Sequence, residues 1–423
     1  MDQTPPLNSS SPLPITKLIR LLGPGIMMAA AAVGGSHLVA STKAGAIYGW
    51  QLAGLILLVN ILKYPFFRAG VQYTMGTGKS LVEGYSLLGR FYLYLYAFLC
   101  IISAFINTAA LVIFSANLLG YFLPVTLPIT WLSTIIVAVC LAILIAGHYR
   151  ALDLLSKFIM ATLSIATVVA VLIALDLPAS TQVIQPELSP WNLAAIGFIV
   201  ITMGWMPAPI EISSITSMWL KNQKRHHNVT AQSAFFDFNV GYIGTTLLAL
   251  IFLALGALII HGSGAQLSSS GVGFTHQLVG MYATTIGEWS RYLIAIIAFF
   301  CIFGSTITVI DGYARVISES QRLLKRQPEC NSKVTQAWMW VISICAIIIL
   351  LFFSSSLMPM LNFAMIMAFI TTPFFALLNY LLINNPALPS ETRSGKILKS
   401  LSILGLVYLF GFLAIFVWWK WFI

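Results

Sequence analysis

Long apolar stretches alternate with short polar ones from one end of the chain to the other. Eleven apolar runs of near twenty residues or more predict membrane-spanning helices at about 20–42, 46–68, 91–122, 130–148, 155–176, 192–220, 235–261, 290–318, 337–355, 358–384 and 399–420. The third is long enough to tilt or to project. Two of the eleven lose the helical pattern halfway. In GPGIMMAAAAVGGSHLVAS the break is Gly34-Gly35-Ser36, followed by His37; in ITMGWMPAPIEISS it runs from Gly204 through Met206, Pro207 and Pro209 to Glu211. Backbone freed from helix inside a bilayer is tolerated only where protein or a water-filled cavity surrounds it. Two such breaks at corresponding places in two halves point to the central site of a transporter. The pattern therefore implies a carrier of something small, with its site around Gly34–His37 and Met206–Glu211.

Composition sharpens the class. Of 423 residues, 59% are hydrophobic and 8% charged, with mean hydropathy +0.92, whereas soluble domains carry about 25% charged residues. The chain is expected to be an all-α integral membrane protein in contact with lipid. Its runs are too long for the alternating strands of a barrel. No signal peptide is expected, since the tail before Lys17 is polar and the first apolar run is too long for one. The net charge of +10 suggests nucleic acid at first, but its distribution excludes that reading. With the N-terminus in the cytoplasm and the C-terminus outside, all of the 22 Lys and Arg except Lys43, Arg291 and Lys420 fall on cytoplasmic segments or helix ends. Lys221, Lys224, Arg225, His226 and His227 form a stop flank suited to anionic lipid. Asp176, Glu187 and Glu288 fall outside, and Trp418, Trp419 and Trp421 make an interfacial belt. Of Cys100, Cys140, Cys301, Cys330 and Cys345, four lie in apolar runs and none forms a CxxC, so neither a disulfide framework nor a thiolate metal site is expected.

Ten spans divide into two sets of five with an eleventh appended. The expected organisation is a cytoplasmic tail (1–19), a first five-helix repeat (20–176), an external linker (177–191), a second repeat (192–384), a cytoplasmic linker (385–398) and the eleventh helix (399–423). The broken helices, 1 and 6, each open a repeat. RFYLYLYAFLCI from Arg90 is similar to RYLIAIIAFFCI from Arg291, helix 3 against helix 8, on opposite sides of the membrane as an inverted repeat demands. GSGAQLSSSGVG (262–273) is expected to be a flexible external loop. GTGKS (76–80) is no phosphate-binding loop, because Tyr73 stands where that loop needs its first glycine. No nucleotide, cofactor or enzymatic activity is expected.

Ionisable groups inside spans are costly and mark function or buried pairing. His37 follows the first break and suits a metal or a proton. Met206 offers a soft thioether to a transition metal, and Pro209 frees carbonyls near Gly204–Met206. Glu211 could offset a cation's charge or carry a coupling proton. Asp237 and Asp311 are further proton-relay candidates or partners of Lys63 or Arg315, and Lys63 is placed to snorkel to the cytoplasmic face.

The N-terminal segment GPGIMMAAAAVGGSHLVASTKAGAIYGW resembles the Nramp family of proton-coupled divalent metal transporters. Gly23-Pro24-Gly25, Ala44-Gly45-Ala46 and Tyr48-Gly49 match its GPG, AGA and YG positions. TGKSLVEG resembles its TGKNLAE, Met206-Pro207 matches the start of its MPHN, and STIT (305–308) matches its eighth helix. The resemblance implies the fold of that family and of the amino-acid–polyamine–organocation superfamily: eleven helices and a 5+5 inverted repeat. It also implies alternating access about a midplane metal site. The family's DPGN is GGSH here. Its metal-binding Asp falls on Gly34, its Asn on His37 and its coupling histidine on Ala208; only the methionine, Met206, is kept. Losing the Asp removes a charge worth several kcal/mol against a divalent ion, and Glu211 is the nearest replacement. Three readings follow. The first is a divalent-cation carrier using His37, Met206 and Glu211. The second is a carrier of an organic solute whose carboxylate meets the amides of Gly34-Gly35-Ser36. The third is a ligand sensor that does not transport. The first is taken as the expectation, in a bacterial inner membrane.

Overall fold

A computed structural model describes residues 22–124, 127–147, 149–176, 188–226, 228–263, 265, 267–268, 270–352, 357–389 and 392–422. The tail 1–19, Glu187 with most of the 177–191 linker, and His227 lie outside them. Among the described residues the chain is helical throughout: α1 (Pro24–Ala32), a π-helical turn (Ser36–Ser41), α2 (Thr42–Tyr48), α3 (Ala53–Thr77), α4 (Leu81–Leu88), α5 (Arg90–Gly120), α6 (Ile129–Ile145), α7 (Tyr149–Asp176), α8 (Ile196–Gly204), α9 (Ile212–His226), α10 (Ala231–Ile259), α11 (Gly271–Ile286), α12 (Ser290–Leu324), α13 (Ser332–Phe352), α14 (Leu357–Ile383) and α15 (Lys396–Phe422). Eight of these are long and apolar enough to cross a membrane, and α1 with the segment Ser36–Tyr48 forms a ninth span bent by 43°. The shorter α6 and the broken pair α8 and α9 occupy the positions of the fourth and sixth spans, which makes eleven.

Lipid-type side chains cover the outside: Phe91, Phe98, Ile165, Leu247 and Phe352 are all exposed. The interior is closed by small residues that let backbones touch. α5 and α12, the third and eighth spans, pack along each other more extensively than any other helix pair, with Ser115 Oγ 3.1 Å from Thr306 Oγ1. α10 carries both halves of the first span. A Cβ on Gly25 would lie 2.3 Å from the Asp237 carbonyl oxygen, and one on Gly256 would lie 2.2 Å from that of Thr42.

Three boundaries differ from the apolar pattern. The first span continues to Tyr48 and stops at Gly49, which has φ +57°. The second span then runs from Ala53 to Thr77 instead of about 46–68. Its polar end stays helical because protein receives it: Tyr73 and Thr74 are buried, and Gln72 Nε2 donates to the Thr392 carbonyl at 2.8 Å. The stretch GTGKS is a junction between helices. Gly78, at φ +71°, ends α3, and Ser80 opens α4 with a capping box closed by Glu83. The glycine-rich loop is shorter than expected: Ser270 Oγ accepts from the Gly273 N–H and starts α11, so residues 271–273 are helical.

Candidate transport site

The first break is held from three directions. After α1 the chain turns at Val33–Gly35. Ser36 Oγ donates to the Ala32 carbonyl, one of those left open by the end of α1, and lies 2.7 Å from His37 Nδ1. His37 is fully buried; its Nε2 is 2.8 Å from the Thr245 carbonyl oxygen of α10, and Nδ1 is 3.1 Å from that of Ala32. Both ring nitrogens therefore face oxygens of the surrounding protein, Nε2 that of Thr245 and Nδ1 those of Ala32 and Ser36. The imidazole thus ties the break to α10 and aims no free lone pair at the second break. Gly34 is pressed on α12, where a Cβ would lie 2.8 Å from Ser305 Oγ.

The second break leaves α8 at Gly204 and resumes in α9 at Ile212, with a cis peptide between Met206 and Pro207. Met206 is buried, its Sδ 3.8 Å from Ser41 Oγ at the end of the first break. Glu211 is also buried. Its Oε1 accepts from Tyr313 OH at 3.0 Å, while Oε2 makes no hydrogen bond among the described residues and lies near Ser103, whose hydroxyl is equally unpaired. Lys63 does not snorkel. It is fully buried and its Nζ donates to the Met203 carbonyl at 2.7 Å, within electrostatic reach of Glu211. The carbonyl end of α8 gives an ammonium in the core what the headgroup region would otherwise supply.

Between the two breaks lies a cavity of ≈ 40 Å³. Ala31, Ala32, Gly35 and Ser36 line it from the first break, Trp205, Ala208, Pro209 and Ile212 from the second, Asn107 and Leu111 from α5, and Val309 and Tyr313 from α12. Ser36 alone of the candidate site residues lines it. Gly34, His37, Met206 and Glu211 surround it from behind, and no group of three His, Cys, Asp or Glu is arranged to hold a metal among the described residues. Glu211 is nonetheless connected to the cavity. Trp205 Nε1 donates to Asn107 Oδ1 (3.2 Å), Asn107 Nδ2 to Tyr313 OH (2.8 Å), and Tyr313 OH to Glu211. Every donor points toward the carboxylate, so charge in the cavity and charge on Glu211 are linked through polarised bonds. The side chains of Asn107, Trp205 and Tyr313 escaped the sequence reading, which named only the backbone carbonyls around Trp205; the one signal for them was a lone amide, indole or phenol inside an apolar run.

The two outlying acids have other partners. Asp237 accepts from the backbone N–H groups of Gly23, Gly25 and Ile26 at the start of α1. Asp311 pairs with Arg315 (Oδ2 to Nε 2.7 Å), and its Oδ1 makes no hydrogen bond among the described residues.

Residues 25–419 match the family described as natural resistance-associated macrophage protein-like, Nramp. A protein of Pasteurella multocida (strain Pm70), described as uncharacterised, is 50% identical over 400 residues, covering 94% of this chain and 91% of its own length. Among solved structures, a mutant of the Eremococcus coleocola manganese transporter superposes with TM-score 0.72 at 15% identity, covering 97% of this chain and 89% of that one. MhsT in complex with L-phenylalanine gives TM-score 0.63 at 12% identity (93% and 97% coverage). A nucleobase-cation-symport-1 transporter with bromovinylhydantoin bound gives 0.59 at 12% (94% and 92%). At these identities the structural likenesses establish the fold: broken first and sixth spans in a two-repeat helical carrier.

Proposed function

Because this chain belongs to the Nramp family, whose members are membrane transporters and not enzymes, we propose that it moves a small divalent metal cation by alternating access about its two broken spans. The observation that carries this reading is the size of the cavity and its link to a buried carboxylate. A water needs about 10–15 Å³ of such space, so ≈ 40 Å³ suits an ion with a water or two. Glu211 supplies the negative charge that Gly34 lacks, through Tyr313, and is the group proposed to take a coupling proton. Met206 and Ser36 are the remaining ligand candidates, with free carbonyls at the breaks. The manganese carried by the Eremococcus relative makes Mn²⁺ the first cargo to try. The lysine and arginine distribution favours an N-terminus inside, and a bacterial inner membrane is the location proposed.

A second reading has its own support. No side chain lining the cavity among the described residues is ionisable except the Tyr313 phenol, and an indole, a phenol and an amide suit an organic solute of the kind that MhsT holds, L-phenylalanine.

Calorimetric titration of the purified protein with Mn²⁺, Zn²⁺, Ni²⁺ and Mg²⁺ separates the two. The metal reading expects saturable binding of a transition metal that Glu211→Gln weakens at least about tenfold, or 1.4 kcal/mol. Binding of none of the four ends it and turns the search to amino acids and related solutes.

A further inference from the structure

Lys63 ends where an inorganic cation would bind. α8 stops at Gly204, and its last carbonyls meet the core with the negative end of the half-helix dipole behind them. In carriers with broken spans, such half-helix ends coordinate the coupling cation. Here the Met203 carbonyl oxygen accepts from Lys63 Nζ at 2.7 Å, and the whole lysine is buried. Across the break Glu211 is buried too and interacts electrostatically with Lys63, and one of its oxygens, near Ser103, makes no hydrogen bond among the described residues. A buried ammonium costs several kcal/mol unless its surroundings match it. Of the two features that match this one, the helix carbonyl end is an oxygen ligand that would equally hold a hard monovalent cation, and the Glu211 carboxylate, beyond ion-pair distance of Nζ, offsets its charge from across the break.

We propose that the Lys63 ammonium is a tethered cation: it occupies the carbonyl end of α8 opposite Glu211 in place of a free alkali ion, and a Na⁺ site forms there when the ammonium is removed. The chain therefore needs no external Na⁺ to complete its core. The inference concerns a position behind the cavity and stands whether the cargo is a metal or an organic solute.

Thermal unfolding of the full-length protein in lipid nanodiscs, in NaCl against choline chloride at equal ionic strength, tests it without knowledge of the cargo. Wild type should unfold at the same temperature in both salts. Lys63→Ala should be destabilised in choline and recover with Na⁺, in a saturable upward shift on the order of 2 °C or more. The double variant Lys63→Ala/Glu211→Gln should lose that Na⁺-specific shift. A Na⁺-specific shift in wild type overturns the proposal without any variant. So does a Lys63→Ala protein that gains nothing from Na⁺, or one that cannot be recovered folded even when Na⁺ is present throughout.

Discussion

Asp237 Oδ2 accepts the backbone N–H of Gly25 at 2.7 Å, so a side chain of α10 caps the amide end of α1. Its other oxygen accepts from Gly23 at 3.0 Å and Ile26 at 3.3 Å. The same helix receives His37 at the break, through Thr245, and meets the second half of the span where Gly45 touches Leu253. The first span is thus fixed to α10 below, at and above its break. In an alternating-access cycle these two spans are expected to move as one body, with rearrangement falling on their contacts with α5 and α12 instead.

The cap predicts a stability defect. Removing the carboxylate in Asp237→Ala strands two buried amides and a part-buried one, at a cost of about 1–2 kcal/mol. Asp237→Asn keeps one acceptor and should fall between. Thermal unfolding of the two variants checks the order. Were Asp237 a proton carrier, Asn would instead change the pH dependence of uptake and leave stability alone.

Two glycines one turn apart in α10 should respond in opposite directions. A methyl on Gly241 would stand 2.3 Å from the Gly25 carbonyl oxygen, whereas one on Gly244 meets nothing within 4 Å. Gly241→Ala should destabilise by about 1–3 kcal/mol through overpacking. Gly244→Ala should be neutral or stabilising by up to about 1 kcal/mol, since alanine is the better helix former. Equal unfolding midpoints for the two variants would contradict the close crossing of α1 and α10.

Much of this architecture is legible in the sequence because lipid imposes it. Run length and hydropathy locate the spans, and Gly34-Gly35 with Pro207 and Pro209 locates both breaks. Where protein replaces lipid the signal fades: the polar end of α3 at Gln72–Thr74 reads as a loop until Thr392 is seen to receive it. The site is less legible still. Residue type marks His37 as a ligand and Lys63 as a snorkelling end, but what each does depends on which carbonyl its nitrogen meets, Thr245 for one and Met203 for the other. Those contacts lie 208 and 140 residues away along the chain, beyond any local pattern.

Glu83 gives the fold a predicted sensitivity to acid. It closes the capping box of α4 and meets Lys221 Nζ at 2.6 Å, tying α4 to α9. Burial pushes its carboxyl up, but the Lys221 ammonium and the Ser80 amide and hydroxyl outweigh that and hold it below the ordinary 4.5. A depressed carboxyl stabilises the fold above its unfolded-state value and loses that contribution as pH falls through the folded one. Glu83→Gln should therefore unfold at lower temperature than wild type at pH 7, with the gap closing as pH falls through the lowered Glu83 value, beneath the ordinary carboxylate range. A gap that persists unchanged in acid would assign the effect to packing.

Restoring a charge at the first break tests what its loss has done. Gly34 stands where the family carries its metal-binding aspartate. The neighbour that a side chain would meet first is Ser305 Oγ at 2.8 Å, followed by Ile302 Cδ1 at 3.4 Å. The first is a hydroxyl that can rotate away, so Gly34→Asp in a Ser305→Ala background should fit at small cost. A carboxylate there would stand against α12, one residue from Gly35, which lines a cavity whose lining holds no carboxylate, imidazole or ammonium group among the described residues, and attraction in such low-dielectric surroundings is strong. Mn²⁺ affinity should rise at least about tenfold over the Ser305→Ala parent, equivalent to 1.4 kcal/mol. An unchanged affinity in a folded variant would mean that Glu211, acting through Tyr313, already balances the cation, and that a second acid adds repulsion as fast as it adds attraction.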